Sequence, residues 1–326
     1  MKKTVMILAG GLLCSSLATA ADNPDLIAQA KKEGSVTFNV WYLQPQWRSF
    51  VKDFEQQYGV KVRIPEGSID GNMNKLLAEA SKAKGKIDVI ALSVAQLPVT
   101  TGAKALAKVD DLPGYGDAIH QIQNDDTQGY AVAFWGNQTG FAYDPNNGGA
   151  GEAFIQRIVT TQGGTFNSEA ESVDPAVVKN WQKGWQWFAA NSDKITRTAS
   201  GADSLTRLND GELMLTPAWE DHLAGLQKTG AITSRLKFYV PEFGMPGGGN
   251  IAAIAANSPH PAASRLFLNW LILPETQKAL NKAFGSTPMI KQASPDVQRP
   301  DATVQFYGKA YSTQLRKEFV REVMMQ

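Results

Sequence analysis

Strand-length apolar runs alternate with amphipathic helical segments, and this alternation is the strongest constraint on the fold of the chain. Runs rich in β-branched and aromatic residues occupy positions 35–42, 60–64 and 87–92. The segments 46–59 and 72–83 lie between them, and the first carries apolar residues at i, i+3, i+4 and i+7. Strands that alternate with helices usually pair in parallel and are covered on both faces. The sequence therefore predicts an α/β fold with mostly parallel sheets.

The chain from residue 130 onwards continues this pattern. We expect strands at 130–135 and 139–144, separated by the residues 136–138. Helices are predicted at 177–191 and 261–273, each with one apolar stripe that is typical of a core-facing surface. The stripes contain Val177, Trp181, Trp185 and Phe188 in the first helix, and Ala263, Leu266, Phe267, Trp270 and Leu271 in the second.

The size and charge of the chain limit its architecture and its partners. With 326 residues, of which 43% are hydrophobic, the chain is long enough to form two domains. Its formal net charge is +1 and no block of like charges occurs. Nucleic-acid binding depends on a basic surface, so a nucleic-acid partner is not expected.

The N-terminus has the organisation of a secretory signal peptide. Lys2 and Lys3 precede an apolar run over 5–13, and small residues follow up to Ala18-Thr19-Ala20. The run is well short of the roughly 20 residues that a membrane-spanning helix needs. We therefore predict cleavage after about Ala20, export of the chain, and a periplasmic location.

The single cysteine, Cys14, lies inside this predicted signal peptide. Leu13 precedes it, whereas a small residue precedes a lipid-modified cysteine, so a lipid anchor is not expected. The mature chain would then contain no cysteine, which excludes disulfide bonds and thiol catalysis there.

Polar and aromatic residues follow the ends of the predicted strands. In open α/β sheets, ligands bind just beyond the carboxyl ends of the strands. This rule selects a set of candidate ligand-binding residues: Trp41, Tyr42, Ser93, Trp135, Asn137, Trp219, Glu220, Asp221 and Asn250. Gln138 lies beside them.

The segment LMLTPAWEDHL, residues 213–223, combines a tryptophan with two carboxylates and allows two interpretations. Aromatic faces attract cations, and a carboxylate in a closed cleft adds a charge-assisted hydrogen bond. Trp219 with Glu220 or Asp221 would therefore suit an amine or another organic cation. On an extended segment only one of the two acids faces the ligand. Alternatively, both acids only stabilise the first turn of a helix that starts near His222.

Two further segments also leave alternatives open. Asp70, Gly71 and Asn72 open a predicted helix, where free backbone N–H groups favour an anion such as a phosphate; the alternative is an ordinary N-cap by Asp70 or Asn72. The three glycines of MPGGGN, residues 245–250, either let the backbone approach a ligand and bend at a hinge, or form a plain loop.

The sequence gives little support to an enzyme. The histidines His120, His222 and His260 are scattered and lack metal-ligand spacing, so no metal or other cofactor is expected. No G-x-S-x-G motif occurs. Glu220 and Asp221 are adjacent in sequence, which does not suit an opposed acid/base pair. A secreted hydrolase is the alternative class of function.

Five segments in order resemble the extracellular solute-binding proteins of ABC importers, also called periplasmic binding proteins of type II. The resemblance covers nearly all of the mature chain and is greatest to the branch that includes polyamine, thiamine and ferric-iron binders. Iron capture is disfavoured because such members use neighbouring tyrosines, and no Tyr-Tyr pair occurs. The segments are AKKEGSVTFNVWY, FVKDFEQQYGVKV, KIDVIALS, NDGELMLTPAW and AANSPHPAASRLFLNWLILPETQKALNKAFGSTP.

The resemblance implies two α/β lobes that are joined by two crossing strands and close on a ligand by hinge bending. Lobe 1 would contain residues 21–137 and 251–288, and lobe 2 residues 138–250 and 289–326. The glycine-rich segment 146–166 departs from the more regular loop and helix of relatives.

The resemblance also implies the partners: a small-molecule ligand, and an ABC permease in the inner membrane that docks on the rims of both lobes. We expect a monomer without catalytic activity. The first expectation for the ligand is an organic cation such as a polyamine or thiamine; the alternative is a sugar or a phosphorylated compound.

Overall fold

The computed structural model describes residues 23–119, 121–122, 125–144, 147–148, 170–196, 198–291, 303–304 and 307–325. The predicted signal peptide and almost all of the glycine-rich segment lie outside these residues, so both stay predictions. None of the helices in the described part has the length and apolar content needed to span a membrane.

The described residues form an α/β structure in which helices and strands alternate. The strands are β1 Ser35–Asn39, β2 Lys61–Arg63, β3 Val89–Ser93, β4 Gln121–Ile122, β5 Asp125–Asp126, β6 Ala131–Asp144, β7 Asn147–Gly148, β8 Thr216–Trp219, β9 Lys237–Tyr239, β10 Met245–Ile254 and β11 Thr303–Val304. The helices are α1 Pro24–Glu33, α2 Gln44–Phe50, α3 Lys52–Tyr58, α4 Ile69–Glu79, α5 Leu97–Gly102, α6 Pro175–Asn180, α7 Gln182–Ala190, α8 Gly201–Asn209, α9 Glu220–Lys228, α10 Pro261–Leu271, α11 Pro274–Phe284 and α12 Lys309–Phe319.

The main sheet is mixed, whereas the alternation had predicted mostly parallel pairing. Strand β1 pairs in parallel with β2 and β3. Strand β10, however, runs antiparallel to both β3 and β6, and β6 runs antiparallel to β8 and β9. All of these antiparallel pairs involve the two long strands β6 and β10. A parallel neighbour would require a crossover connection, usually a helix, on the way into each of them.

The two long strands connect the halves of the molecule. The sequence predicts two separate strands around residues 136–138, but β6 runs through them without a break. Strand β10 begins at Met245 and includes the three glycines, which therefore do not form a plain loop. Both segments satisfy their backbone groups by pairing with each other, with Gly247 opposite Gln138 and Asn250 opposite Trp135.

Alternate residues of the first part of this sheet face two different cores. Along β3, Val89 and Ala91 pack with β1 and with helix α10, and Ile90 and Leu92 pack with Leu76 of α4 on the opposite face. This alternation is the expected consequence of the period of two in a strand. The sheet of the first lobe therefore has a hydrophobic core on each face, as predicted.

A separate core forms around the second part of the crossing strands. It joins Phe141 of β6 to Ala218 of β8, Leu223 of α9 and Phe238 of β9. A further cluster contains Trp181, Trp185 and Phe188 packed on the C-terminal helix α12. The prediction that this tryptophan stripe is core is confirmed, as is the buried stripe of α10.

Two predicted helices are interrupted. The segment 46–59 forms α2 and α3, which meet at Val51, and the segment 177–191 forms α6 and α7, which meet at Trp181. The ψ angles at Val51 and Trp181 are −3° and −16°, well short of α-helical values, and locally tighten the helix. Their apolar side chains are buried at these bends.

Polar contacts tie the start of α10 to neighbouring elements. The carboxylate of Glu33 accepts hydrogen bonds from the backbone N–H groups of Ala262 and Ala263, at 3.1 and 2.7 Å. The buried carboxylate of Asp88 accepts from the backbone N–H of Thr37 and lies 2.9 Å from Nδ1 of His260. Glu33 thus accepts from donors that the helix start leaves unsatisfied. Asp88 accepts from the backbone N–H of His260, the N-cap residue of α10, and contacts its ring, so His260 has a structural role.

The crossing of the strands depends on Gly136. A Cβ atom at this position would lie 2.7 Å from Sδ of Met289 and 2.8 Å from the carbonyl oxygen of Thr287. Thr287 also exchanges backbone hydrogen bonds with Gly136, so it cannot easily move away. The site accepts only a residue without a side chain.

We predict that Gly136→Ala lowers the free energy of unfolding by about 1–3 kcal/mol because of overpacking. Gly225→Ala is the matched control: Gly225 lies inside α9 with no atom within 4 Å of an added Cβ, and alanine there should stabilise the helix by up to about 1 kcal/mol. Urea unfolding measures both changes. Equal stability of the two variants would contradict the close approach at Gly136.

Candidate ligand-binding cleft

A cavity of about 440 Å³ opens where the crossing strands pass between the two cores. Its volume is within the range of about 300–1,000 Å³ that is typical of small-molecule sites. Five parts of the chain contribute its walls: the loop after β1, the residues at the end of β3, strand β6, the junction of β8 with α9, and strand β10. The described lining residues are Trp41, Tyr42, Ser93, Val94, Ala95, Trp135, Asn137, Trp219, Asp221, His222, Gly247, Gly248, Gly249 and Asn250.

The structure brings together nearly all residues that the strand-end rule selected. Of the nine candidates, only Glu220 is absent from the described lining. The pairing of strands explains this convergence, because Ser93, Asn250 and Trp135 occupy one row across β3, β10 and β6. Binding by these residues stays a prediction.

An aromatic wall closes one side of the cavity. The ring of Tyr42 lies 4.8 Å from that of Trp41 and 5.1 Å from that of Trp135, both in edge-to-face geometry. Leu43, which follows Tyr42 in the chain, has a left-handed φ of 53° and makes the turn between β1 and α2. Trp135 itself is completely buried and packs against Phe284 behind the wall.

Asp221 is a buried carboxylate that two neutral hydrogen-bond donors hold in place. Its side chain is 3% exposed, its Oδ2 accepts a hydrogen bond of 3.2 Å from Nε1 of Trp135, and its Oδ1 accepts one of 3.0 Å from the backbone N–H of His222. Within the described part of the chain, no lysine or arginine pairs with it. Burial raises the pKa of Asp221, while the charge of His222 and the hydrogen bond from Trp135 oppose the rise.

Tyr42 contributes a neutral phenol hydroxyl to the same site. Its Oη accepts a hydrogen bond of 3.1 Å from Nδ2 of Asn250, which fixes the phenol against β10. Burial raises the pKa of Tyr42 well above its usual value; the bond from Asn250 opposes this rise, and the nearby charge of Asp221 adds to it. Tyr42 therefore keeps its proton at neutral pH.

The junction of β8 and α9 separates the two neighbouring acids. Strand β8 runs from Thr216 to Trp219, and the helix starts at Glu220 instead of near His222. Glu220 and Asp221 are thus helical residues of one first turn, and not alternating positions of an extended segment. Successive helical residues are rotated by about 100°, which is how only Asp221 comes to line the cavity.

The alternative anion site at Gly71 and Asn72 has a different geometry from the predicted one. The N-cap of α4 is Ser68, whose Oγ accepts from the backbone N–H of Gly71, and not Asp70 or Asn72. Asn72 is buried, and its Oδ1 accepts a hydrogen bond from Asn39. Neither Gly71 nor Asn72 belongs to the described lining of the cavity.

Val94, Ala95 and His222 also line the cavity but were not among the nine candidates from the sequence. Val94 and Ala95 directly follow Ser93, so extending the strand-end rule by two positions would have included them. Gly247, Gly248 and Gly249 were candidates for a close backbone approach, and they lie in β10 with their backbone at the cavity. His222 carried no signal, because it was predicted to start a helix.

The described residues contain no group of three or more His, Cys, Asp or Glu side chains that could hold a metal ion. What the cavity offers is one buried carboxylate, aromatic rings, and neutral hydroxyl, amide and backbone groups. Such a lining suits binding of an organic molecule with a positive charge.

Replacing Asp221 with asparagine keeps the shape and an acceptor for Trp135 but removes the buried charge. Because the pKa of Asp221 is raised on folding, the folded chain holds this proton more tightly than the unfolded chain. The contribution of the acid to stability is therefore complete below its unfolded pKa of about 4, and it is lost as pH rises through the folded pKa.

We therefore predict that the melting temperature of Asp221→Asn, relative to the natural chain, increases between about pH 4 and pH 7. Melting followed by circular dichroism at several pH values measures the difference. Asp53→Asn, at an exposed position of α3, is the control for loss of one carboxylate. A difference for Asp221→Asn that is the same at all pH values would show that the carboxylate is not desolvated.

Comparisons with known proteins agree with the described fold. The profile of a family described as bacterial extracellular solute-binding protein matches residues 49–150 and 131–305. A comparison with the curated proteins found no match.

Solved structures of transport proteins share the fold at low sequence identity. Iron-bound HitA from Pseudomonas aeruginosa has a TM-score of 0.66 at 15% identity, covering 87% of this chain and 98% of that chain. The GacH receptor of Streptomyces glaucescens, solved unliganded and with acarbose, has a TM-score of 0.69 at 16% identity, covering 89% and 93%. The spermidine/putrescine substrate-binding protein PotD from Streptococcus pneumoniae has a TM-score of 0.64 at 12% identity, covering 89% and 98%.

These similarities establish a two-lobed fold of the periplasmic binding protein type II class, with a mixed sheet. Because the family profile extends over most of its length, this chain belongs to the bacterial extracellular solute-binding proteins.

Proposed function

We propose that this chain captures an organic cation in its cleft and delivers it to the permease of an ABC importer. Membership of the family makes the chain a solute-binding receptor of the ABC transporter class, located in the periplasm or outside the cell. The positive charge of the solute is the new element, and the buried carboxylate of Asp221 is the observation that carries it.

The energetic argument concerns the cost of an unpaired charge. Removing a carboxylate from water is expensive unless an opposite charge or several hydrogen bonds compensate. Asp221 has two hydrogen bonds from neutral donors, and among the described residues only the neighbouring His222, and no lysine or arginine, offers it a positive charge. A cationic solute would supply the missing partner, at the position where the cavity exposes the carboxylate.

The aromatic wall supports the same class of solute. A cation over the face of a tryptophan or tyrosine gains about 0.5–2 kcal/mol, depending on desolvation. Trp41, Tyr42 and Trp219 line the cavity with Asp221, so a positively charged group beside the carboxylate would also contact aromatic rings. The neutral Ser93 and Asn137 offer hydrogen bonds to other parts of the solute.

Closure of the lobes would complete the enclosure. The lobe boundaries proposed from the sequence, near residues 137–138 and 250–251, fall within the paired strands β6 and β10 at the cavity. Bending at these residues would bring Trp219 and Asp221 towards Trp41 and Tyr42 while both cores keep their packing. The solute would then be released where the permease opens the lobes.

A thermal-shift screen tests the proposal with amines, thiamine, sugars, sugar phosphates and ferric chelates. A bound solute at 100 times its dissociation constant should stabilise the protein by about 2.7 kcal/mol. Stabilisation by cationic compounds alone is the expected result. A shift with only sugars, phosphates or ferric chelates would refute the organic-cation proposal.

We predict that Trp219→Ala abolishes the shift and leaves the melting temperature of the free protein nearly unchanged, because Trp219 is only partly buried in the cleft. Trp187→Ala removes a tryptophan that is 39% exposed outside the cavity lining, and it should keep the full shift. Collapse of the free Trp219→Ala protein would instead make Trp219 a core residue and misplace the site.

A further inference from the structure

We propose that the cleft selects solutes with a single positive charge and an uncharged body, and discriminates against diamines and polyamines. This inference rests on the proposed function, since it specifies the class of organic cation that the same cavity takes. It follows from the number and placement of the charged side chains around the cavity.

Among the lining residues that the structure describes, one is an acid. Asp221 is the only Asp or Glu among the described lining residues, and no lysine or arginine lines the cavity with it. Tyr42 and His222 are the other titratable groups of this lining, and neither supplies a negative charge at neutral pH. Glu220, the nearest acid in sequence, lies outside the described lining.

The position of Asp221 prevents its carboxylate from pairing with two separate positive groups. Trp135 and the backbone of His222 each hold one oxygen of the carboxylate, at 3.2 and 3.0 Å. The side chain is therefore fixed against the wall of completely buried Trp135 and cannot follow a second positive group along the cavity. One ammonium or quaternary group beside it neutralises the site.

Apart from Asp221 and His222, the polar groups of the described lining are uncharged at neutral pH. Ser93, Asn137 and Asn250 present hydroxyl and amide groups, and the glycines of β10 present backbone atoms. Nδ2 of Asn250 already donates to Tyr42. A second ammonium enclosed here would lose its hydration without gaining an opposite charge, and burial of an unpaired ion is strongly unfavourable.

The aromatic rings do not replace a second carboxylate. Tyr42 and Trp135 contact each other edge to face, so part of their ring surface is already covered by other rings. The rings that remain at the cavity suit the apolar or aromatic body of a monovalent cation, which gains from removal of apolar surface from water. Asp221 thus supplies the negative charge, and the rings contact both the charged group beside it and the uncharged body of the solute.

Isothermal titration calorimetry with defined probes tests the inference. The monovalent probes are choline, tyramine and thiamine at about pH 8, the polyvalent probes are putrescine and spermidine, and 3,3-dimethylbutan-1-ol is the neutral isostere of choline. We expect at least one monovalent probe to bind on the order of tenfold or more tightly than either polyamine, because the second ammonium has no partner. The neutral alcohol should not bind measurably.

A charge-adding variant tests the same idea in the opposite direction. Asn137→Asp introduces a second carboxylate into the lining and should improve putrescine binding relative to the monovalent probe by about tenfold. Asn74→Asp makes the same charge change at an exposed position of α4 outside the lining, and the ratio should stay as in the natural chain. Melting curves confirm that both variants fold.

The outcomes separate the two levels of the proposal. Tighter binding of putrescine or spermidine than of every monovalent probe by the natural chain would overturn the single-charge inference and keep the organic-cation receptor. Binding of none of these cations, with a sugar or sugar phosphate bound instead, would refute the proposed function itself. An unchanged ratio in a folded Asn137→Asp variant would contradict charge counting as the basis of selection.

Discussion

The antiparallel pairing of β6 with β10 is the interaction on which the rest of the structure depends. The two strands satisfy each other's backbone groups from Ala131 to Gln138 and from Gly247 to Ala253, and they run from the cores on the two faces of the first part of the sheet to the core around Phe141. The same ladder places Trp135 opposite Asn250, which orders the floor of the cavity. Gly136 allows this passage because it has no side chain, which would collide with Thr287 and Met289. The scaffold and the floor of the cavity therefore both depend on the pairing of β6 with β10.

The cleft combines this rigid floor with a group that is unfavourable for the unliganded fold. A buried carboxylate raises the free energy of the folded state, and at Asp221 the charge of His222, the indole N–H of Trp135 and a backbone N–H offset that cost in part. Functional sites often retain such groups because the missing partner is the ligand. In the proposed function, the carboxylate of Asp221 would bind the charge of the solute, the aromatic wall its charged group and body, and the neutral amides would orient it.

Several features were predictable from the sequence with simple rules. The core stripes of α7 and α10 follow from the helical repeat, and the convergence of Trp41, Ser93 and Asn250 follows from the rule that ligands bind beyond strand ends. The mixed sheet and the unbroken β6 did not follow, because local patterns do not show which strand a segment pairs with. The N-cap of α4 was assigned to Asp70 or Asn72 although Ser68 provides it, since all three residue types are good caps and only backbone geometry selects among them.

The sequence by itself determined the periodicities, and hence which segments form strands, which faces enter the cores, and that the chain resembles a solute-binding family. Only the tertiary structure decided that Asp221 and not Glu220 lines the cavity, that Trp135 holds this carboxylate from a residue 86 positions away, and that one acid stands alone among the described lining residues. The physical reason is that periodicity is a local property of the chain, whereas burial and charge balance depend on which distant segments meet.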